Sequence, residues 1–167
     1  MIRIRSYKAD DHDAVLDIFS AGLLEYAEQP GQVKQQWEDH IAACFHDDLA
    51  DIPGVYFGSG GHFWVAIHDV NEQQEVVVGL VGLEKKADDS FELRRLSIHR
   101  DYRRQGVARQ LVAHLEQWAK AHAATSVWLS SGSPMTLAHA FYKSIGYTHF
   151  KTQVLPTVEM LFFEKAV

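Results

Sequence analysis

Phe91-Glu92-Leu93-Arg94-Arg95-Leu96-Ser97-Ile98, continuing as His99-Arg100-Asp101-Tyr102-Arg103-Arg104-Gln105-Gly106-Val107-Ala108-Arg109, carries a strand into an arginine-rich turn and then into a helix. Apolar residues at 91, 93, 96 and 98 fit a strand with one change of phase at Arg94 and Arg95. Val107, Ala108, Leu111, Val112, Leu115, Trp118 and Ala119 then recur at helical spacing. Between the two patterns, Gly106 lets backbone approach a ligand closely, and the first helical turn offers unpaired N–H groups at the positive end of its dipole. A strand, a glycine turn and a helix start, dressed with Arg103, Arg104 and Arg109, predict a site for a polyphosphate.

Working outward, Ile2 and Ile4 alternate with Arg3 and Arg5 as an opening strand. Asp10 or Asp11 can then cap a helix running to about Glu28, with Val15, Ile18, Phe19, Leu23 and Tyr26 as its buried stripe. After Pro30-Gly31 a second helix follows, with Val33, Trp37, Ile41, Cys44, Phe45 and Leu49 at 3–4 spacing, and Pro53-Gly54 is expected to end that unit. Residues 63–67 and 76–83 read as strands separated by a polar turn from Asp69 to Glu75, and Gly58-Ser59-Gly60-Gly61 as a hairpin turn. Beyond the motif helix, which should end near His122, residues 126–130 form a buried-strand candidate whose β-helix-β connection favours a parallel pair. Pro134 can open another helix closed by Gly146, and strands near 148–150 and 158–163 complete an α/β sandwich.

The chain has 167 residues, of which 47% are hydrophobic and 11% aromatic. That is the length and composition of one packed domain, expected to span 1–167 without a linker. No apolar run approaches the ~20 residues that cross a bilayer, and the amino-terminal residues read as a strand rather than a leader, so a soluble, cytoplasmic protein is expected. One cysteine, Cys44, excludes an intramolecular disulfide framework, and the scattered histidines give no metal site. Residues 1–92 carry 18 acids against 6 bases, and residues 93–167 carry 4 against 10. If both halves border one cleft, a basic side would hold an anionic cofactor and an acidic side would attract an amine; solvated faces without a steering role are the plainer alternative.

The turn Arg103-x-x-Gly106-x-Ala108 resembles the acetyl-CoA loop of the GNAT superfamily of N-acetyltransferases, which reads (Arg or Gln)-x-x-Gly-x-(Gly or Ala). Ala138-His139-Ala140-Phe141-Tyr142-Lys143-Ser144-Ile145-Gly146-Tyr147 is similar to the later Ala-x-x-Phe-Tyr-x-x-x-Gly-(Phe or Tyr) segment of the same superfamily. With their flanking strands the two motifs cover residues 76–150, while the chain before residue 60 is family-like in length and helical character alone. The resemblance implies an α/β fold with a mixed, mainly antiparallel central sheet, helices on both faces, and a parallel strand pair splayed at the cofactor site. It also implies acetyl-CoA as co-substrate and an N-acetyltransferase in which an amine attacks the bound thioester directly in a ternary complex.

Site residues follow from the same resemblance. The pyrophosphate would be held by the loop led by Arg103, through the backbone amides of Arg104, Gln105, Gly106, Val107, Ala108 and Arg109. The pantetheine arm would lie along Leu96, Ser97 and Ile98, with the N–H groups of Leu96 and Ile98 polarising the thioester carbonyl. Tyr142 matches the tyrosine that serves the leaving sulfur, with a buried helix aromatic as the alternative. Glu92 is the candidate general base, or else a carboxylate paired with a neighbouring arginine. Met135 stands where many members have asparagine, and Ser131, with Ser130 or Ser133 as alternatives, is the candidate replacement hydrogen-bond partner. Tyr26, Trp37, Phe57 and Trp64 either line an acceptor pocket or pack in the core.

Other chemistries are disfavoured by missing patterns. There is no Gly-x-x-x-x-Gly-Lys-Ser/Thr, no Gly-x-Ser-x-Gly and no His-Glu-x-x-His. Net charge of −6 argues against nucleic acid. The expected partner is a small-molecule or peptide amine, with no nucleic acid and no membrane, and a homodimer is compatible with these features. The rival is a catalytically silent acyl-CoA-binding regulatory domain of the same fold.

Overall fold

The computed structural model describes residues 1–71 and 73–167. Strands β1 (Ile2–Ser6), β2 (His62–Asn71), β3 (Gln74–Lys85), β4 (Phe91–Ile98), β5 (Ser126–Gly132), β6 (Thr148–Val154) and β7 (Glu159–Ala166) alternate with helices α1 (His12–Ala27), α2 (Lys34–His46), α3 (Val107–Ala121) and α4 (Thr136–Ser144). Among the described residues the strands form one sheet in the order β1-β2-β3-β4-β5-β7-β6. β4 and β5 are parallel, and the other neighbours are antiparallel.

Alternation along the strands divides the interior in two. Trp64, Ala66, Val78, Val81, Leu93, Val127, Leu129 and Phe163 face α3 and α4, where Val107, Leu111, Leu115 and Tyr142 meet them. Phe63, Val65, Ile67 and Leu80 face the other way, toward α1, α2 and Tyr56. The 3.6-residue periodicity of α3 places Val107, Leu111, Val112, Leu115 and Ala119 on one buried stripe, so its amino terminus is aimed by packing along its whole length.

Two irregularities of β4 shape the site. Leu80 pairs with Ser97 and Gly82 with Arg94, leaving Val81 opposite both Arg95 and Leu96, a β-bulge. Arg95 sits at φ 62°, a left-handed conformation that costs a side-chain-bearing residue about 1–3 kcal/mol. Beyond it, β4 and β5 pair at one register position among the described residues, Glu92 opposite Trp128. The strands diverge from there, and a gap opens between Leu96–Ile98 and the end of β5.

Several sequence expectations need adjustment. The two strands 63–67 and 76–83 run on to 62–71 and 74–85, consuming most of the polar turn; Glu72, within that turn, lies outside the described residues. Pro53-Gly54 opens a π-helical turn, Pro53–Phe57, instead of simply ending α2, because proline's missing N–H costs nothing in a first turn. Gly58–Gly61 joins this turn to β2, so it is not a hairpin between strands. Its conformation answers a close approach instead: a Cβ at Gly61 would stand 1.9 Å from the Leu83 carbonyl oxygen.

One buried and one partly buried imidazole tie the fold to pH. Burial pushes His62 down, aided by nearby His114 and His122, and burial does the same to His139 against the opposing effect of a hydrogen bond to Gly132. The folded state therefore binds fewer protons than the unfolded chain, whose imidazoles titrate near 6.5. Stability is expected to fall as pH drops from 7.5 through 6.5 toward 5. Denaturant midpoints across this range check it, and His62→Gln should flatten the slope.

Candidate active site

A cavity of about 800 Å³ occupies the gap beside β4, a volume within the usual ~300–1,000 Å³ of ligand pockets. Leu96, Ser97 and Ile98 form one wall, Arg103, Arg104, Gly106, Val107, Ala108 and Arg109 its mouth, Ala138, Phe141 and Tyr142 of α4 with its N-cap Met135 the opposite wall, and Phe19, Gly22, Glu25 and Tyr26 of α1, with Gln29 just past its end, the roof.

The mouth is built by backbone conformation. Arg104 at φ 60° and Gly106 at φ 81° are left-handed on either side of Gln105, a pattern that turns successive amides toward one point. Gly106 is the N-cap of α3, and no side chain among the described residues caps it, so the first N–H groups of the helix remain available to an anion. A Cβ at Gly106 would meet nothing closer than the Gln110 side chain at 4.0 Å, so open space lies before the amides. Arg103 donates Nε to the Ile98 carbonyl (3.1 Å) and pairs with Glu25 on α1, tying mouth, wall and roof together.

Along the wall, His99 donates its amide to Val78 on β3 (2.8 Å). Strand alternation then points the amides of Ile98 and Leu96 away from β3, into the gap. An extended chain carrying amides of its own, as pantetheine does, matches such an edge. Tyr142, 7% exposed, lines the cavity from α4. Burial pushes its phenol well above the ordinary value, and the proximity of Tyr26 adds to the shift, so it stays an O–H donor at any working pH. Uncapped helix amides, a β4 edge facing a gap, and a buried phenol fit coenzyme A as the group the cavity holds.

The side chains of three expected residues do not line the cavity. Glu92 lies at the closed end of the β4–β5 pair, its carboxylate 2.7 Å from Lys86 Nζ and 4.0 Å from Arg94 Nε. Gln105 turns outward, donating its side-chain amide to the Asp101 carbonyl (2.9 Å). Ser131 faces α4, its hydroxyl 3.1 Å from His139 Nε2. The arginine cluster also divides: Arg103, Arg104 and Arg109 ring the mouth, while the change of phase turns Arg94 toward Glu84 (2.7 Å) and Arg95 toward Asp48 (2.7 Å). Nor do the four aromatics share a pocket. Tyr26 stacks on Trp37 and reaches the cavity, Phe57 meets His62 edge-on, and Trp64 packs against Trp118 under α3.

Of the roof, sequence reasoning named Tyr26 as a pocket candidate and missed Gly22, Glu25 and Gln29. Phe19, Gly22 and Tyr26 recur at intervals of 3 and 4 on α1, and Gln29 follows three residues on, just past the helix end, a row that mixes a glycine, a phenol and an amide. That mixture of residue types in one row was the available signal.

The model of the Acetyltransferase (GNAT) family matches residues 21–147. N-acetyltransferase 8F1 of Rattus norvegicus is 32% identical over 86% of this chain and 85% of its own length. N-acetylaspartate synthetase of the same organism is 32% identical over 75% of this chain and 44% of its own. The chain spans about half the length of several curated relatives that it matches. Among solved structures, the PaiA N-acetyltransferase of Thermoplasma acidophilum, in complex with coenzyme A, shares the fold at a TM-score of 0.80 and 16% identity, covering 100% of this chain and 99% of that one. With bulged β4, splayed sheet and uncapped α3 all in the matched span, the chain belongs to the acetyltransferase (GNAT) family.

Proposed function

We propose that the chain is an acetyl-CoA-dependent N-acetyltransferase acting on a primary amine, of a small molecule or a peptide, by direct attack in a ternary complex. The observation that carries the reading is the convergence on one cavity of the uncapped α3 N-terminus, Leu96 and Ile98 of β4, and Tyr142. Bound acetyl-CoA would supply an acetyl group activated as a thioester, the new N–C bond forming as the C–S bond breaks and the amine losing one proton while the sulfur gains one.

Each residue then has a definite task. The backbone from Arg104 to Arg109 holds the pyrophosphate, and Arg103, Arg104 and Arg109 add charge around it. Leu96 and Ile98 donate N–H groups to the carbonyl oxygen, where negative charge builds. Tyr142 donates its hydroxyl to the departing sulfur; with its proton held tightly by burial, it stabilises the thiolate by a hydrogen bond while solvent supplies the final proton. Glu92 is our candidate acceptor for the amine proton, reached through water because its carboxylate stands off the cavity. Ser131, the candidate hydrogen-bond partner of the pantetheine, keeps its hydroxyl on His139 and is assigned no contact with the arm. A cytoplasmic setting, a compartment that holds acetyl-CoA, is part of the proposal.

Thiol release from acetyl-CoA across a panel of amines tests the reading. Amino acids, aspartate among them, head the panel, since one relative is named for making an N-acetylated amino acid. Amine-dependent release supports acetyl transfer; tight acetyl-CoA binding with no release from any small or peptide amine would favour the silent regulatory domain. For Glu92→Gln, kcat/KM is expected to drop at least about tenfold with loss of the acid limb of its pH profile. An unchanged profile eliminates Glu92 as the base.

A further inference from the structure

Behind the cavity wall, the side chain of the strained residue Arg95 enters a buried polar cluster. Its Nε donates to Asp48 Oδ2 at 3.0 Å and its Nη2 to Asp48 Oδ1 at 2.7 Å. Asp48 is 1% exposed, and its Oδ2 also accepts the hydroxyl of fully buried Tyr56 at 2.5 Å. Tyr56 has room there because residue 82 on β3 is glycine: a Cβ would stand 2.5 Å from the Tyr56 ring. The Arg95 guanidinium lies 5.4 Å over the ring of Phe19, which lines the cavity from the other side.

These contacts converge on one turn of backbone. The Arg95 bulge is the step that sets which amides of β4 face the gap, and a left-handed arginine holds that conformation only when its surroundings over-determine it. A bidentate guanidinium–carboxylate pair fixes both distance and plane. The short Asp48–Ala50 turn after α2 supplies the carboxylate and the Pro53–Phe57 turn supplies the phenol, so the α2-to-β2 connection is anchored to the bulge.

We propose that Asp48 is a positioning residue for acetyl transfer, supported by Tyr56: the buried carboxylate holds Arg95, and through it the bulge that aims the Leu96 amide at the thioester carbonyl. The inference rests on the acetyl-transfer reading of the cavity. It assigns the α2-to-β2 connection a part in aligning the reacting carbonyl, although neither Asp48 nor Tyr56 lines the cavity.

Asp48→Asn and Tyr56→Phe in the full chain test it, with three readouts: affinity for coenzyme A, kcat for acetyl transfer, and the infrared band of carbonyl-labelled [13C]acetyl-CoA when bound. In the unaltered protein the bound carbonyl band should lie below its position in water. In Asp48→Asn it should move back toward that position, with kcat down about tenfold or more and coenzyme A affinity within about threefold. Tyr56→Phe, which keeps the ion pair, should show a smaller change in the same direction. A band unmoved in Asp48→Asn, or coenzyme A affinity falling in step with kcat, overturns the proposal. Should Asp48→Asn fail to fold, an unmoved band in Tyr56→Phe does so. An unaltered protein that binds no acetyl-CoA would instead sink the acetyl-transfer reading itself.

Discussion

Tyr142→Phe is expected to lower kcat about 100-fold while leaving affinity for acetyl-CoA within about threefold. The phenyl ring keeps the packing: Tyr142 lies 5.5 Å from the Phe141 ring, 5.8 Å from Tyr147 and 6.4 Å from Phe163, and none of those contacts uses the hydroxyl. What disappears is the donor proposed to face the leaving sulfur, in a site where burial keeps that donor protonated. The loss therefore belongs to the transition state and not to the bound ground state. Steady-state kinetics paired with calorimetric binding separate the two, and an unchanged kcat would make Tyr142 a packing aromatic of α4.

Gly106→Val should have the opposite signature, weakening acetyl-CoA binding about 100-fold, or ~2.7 kcal/mol, with much of kcat surviving at saturation. Gly106 is left-handed at φ 81°, which costs a residue with a Cβ about 1–2 kcal/mol and a β-branched one more. The added side chain also enters the open space before the α3 amides. Val107, Leu111 and Leu115 are 0–1% exposed and hold the helix in place, so the defect should stay local to its first turn. Calorimetry with coenzyme A checks it; tight binding by the variant would move the anion site away from α3.

What could be read from the chain followed what is written in local pattern. The mouth of the cavity was legible because its requirements are backbone requirements: Gly106 for a positive φ, and an apolar stripe from Val107 to Ala119 to aim the helix. The bulge showed as a change of phase at Arg94 and Arg95. Where those arginines went was not legible, since Glu84 meets Arg94 through β3–β4 register and Asp48 and Tyr56 come to Arg95 from the distant α2-to-β2 connection. Glu92 and Ser131 share that difficulty. Their strands could be read from local pattern, but which neighbours engage their side chains depends on Lys86 and His139, which reach them from a turn and a helix. The ends of β2 and β3 were underestimated because polar residues at strand ends, such as Asp69 and Glu75, read as turn until Arg3 and Arg5 of β1 are seen to pair with them.

The divergence of β4 from β5 has a mechanical side. With one position of pairing between them among the described residues, the sheet is two ladders, β1 to β4 and β5-β7-β6, joined by a short seam and by the core under α3 and α4 that both halves share. An extended arm bonded to the free edge of β4 adds rungs at that seam and braces the ladders against breathing. In the proposed complex, departure of the spent carrier would have to undo those rungs, and the frequency with which the seam loosens would set a ceiling on turnover.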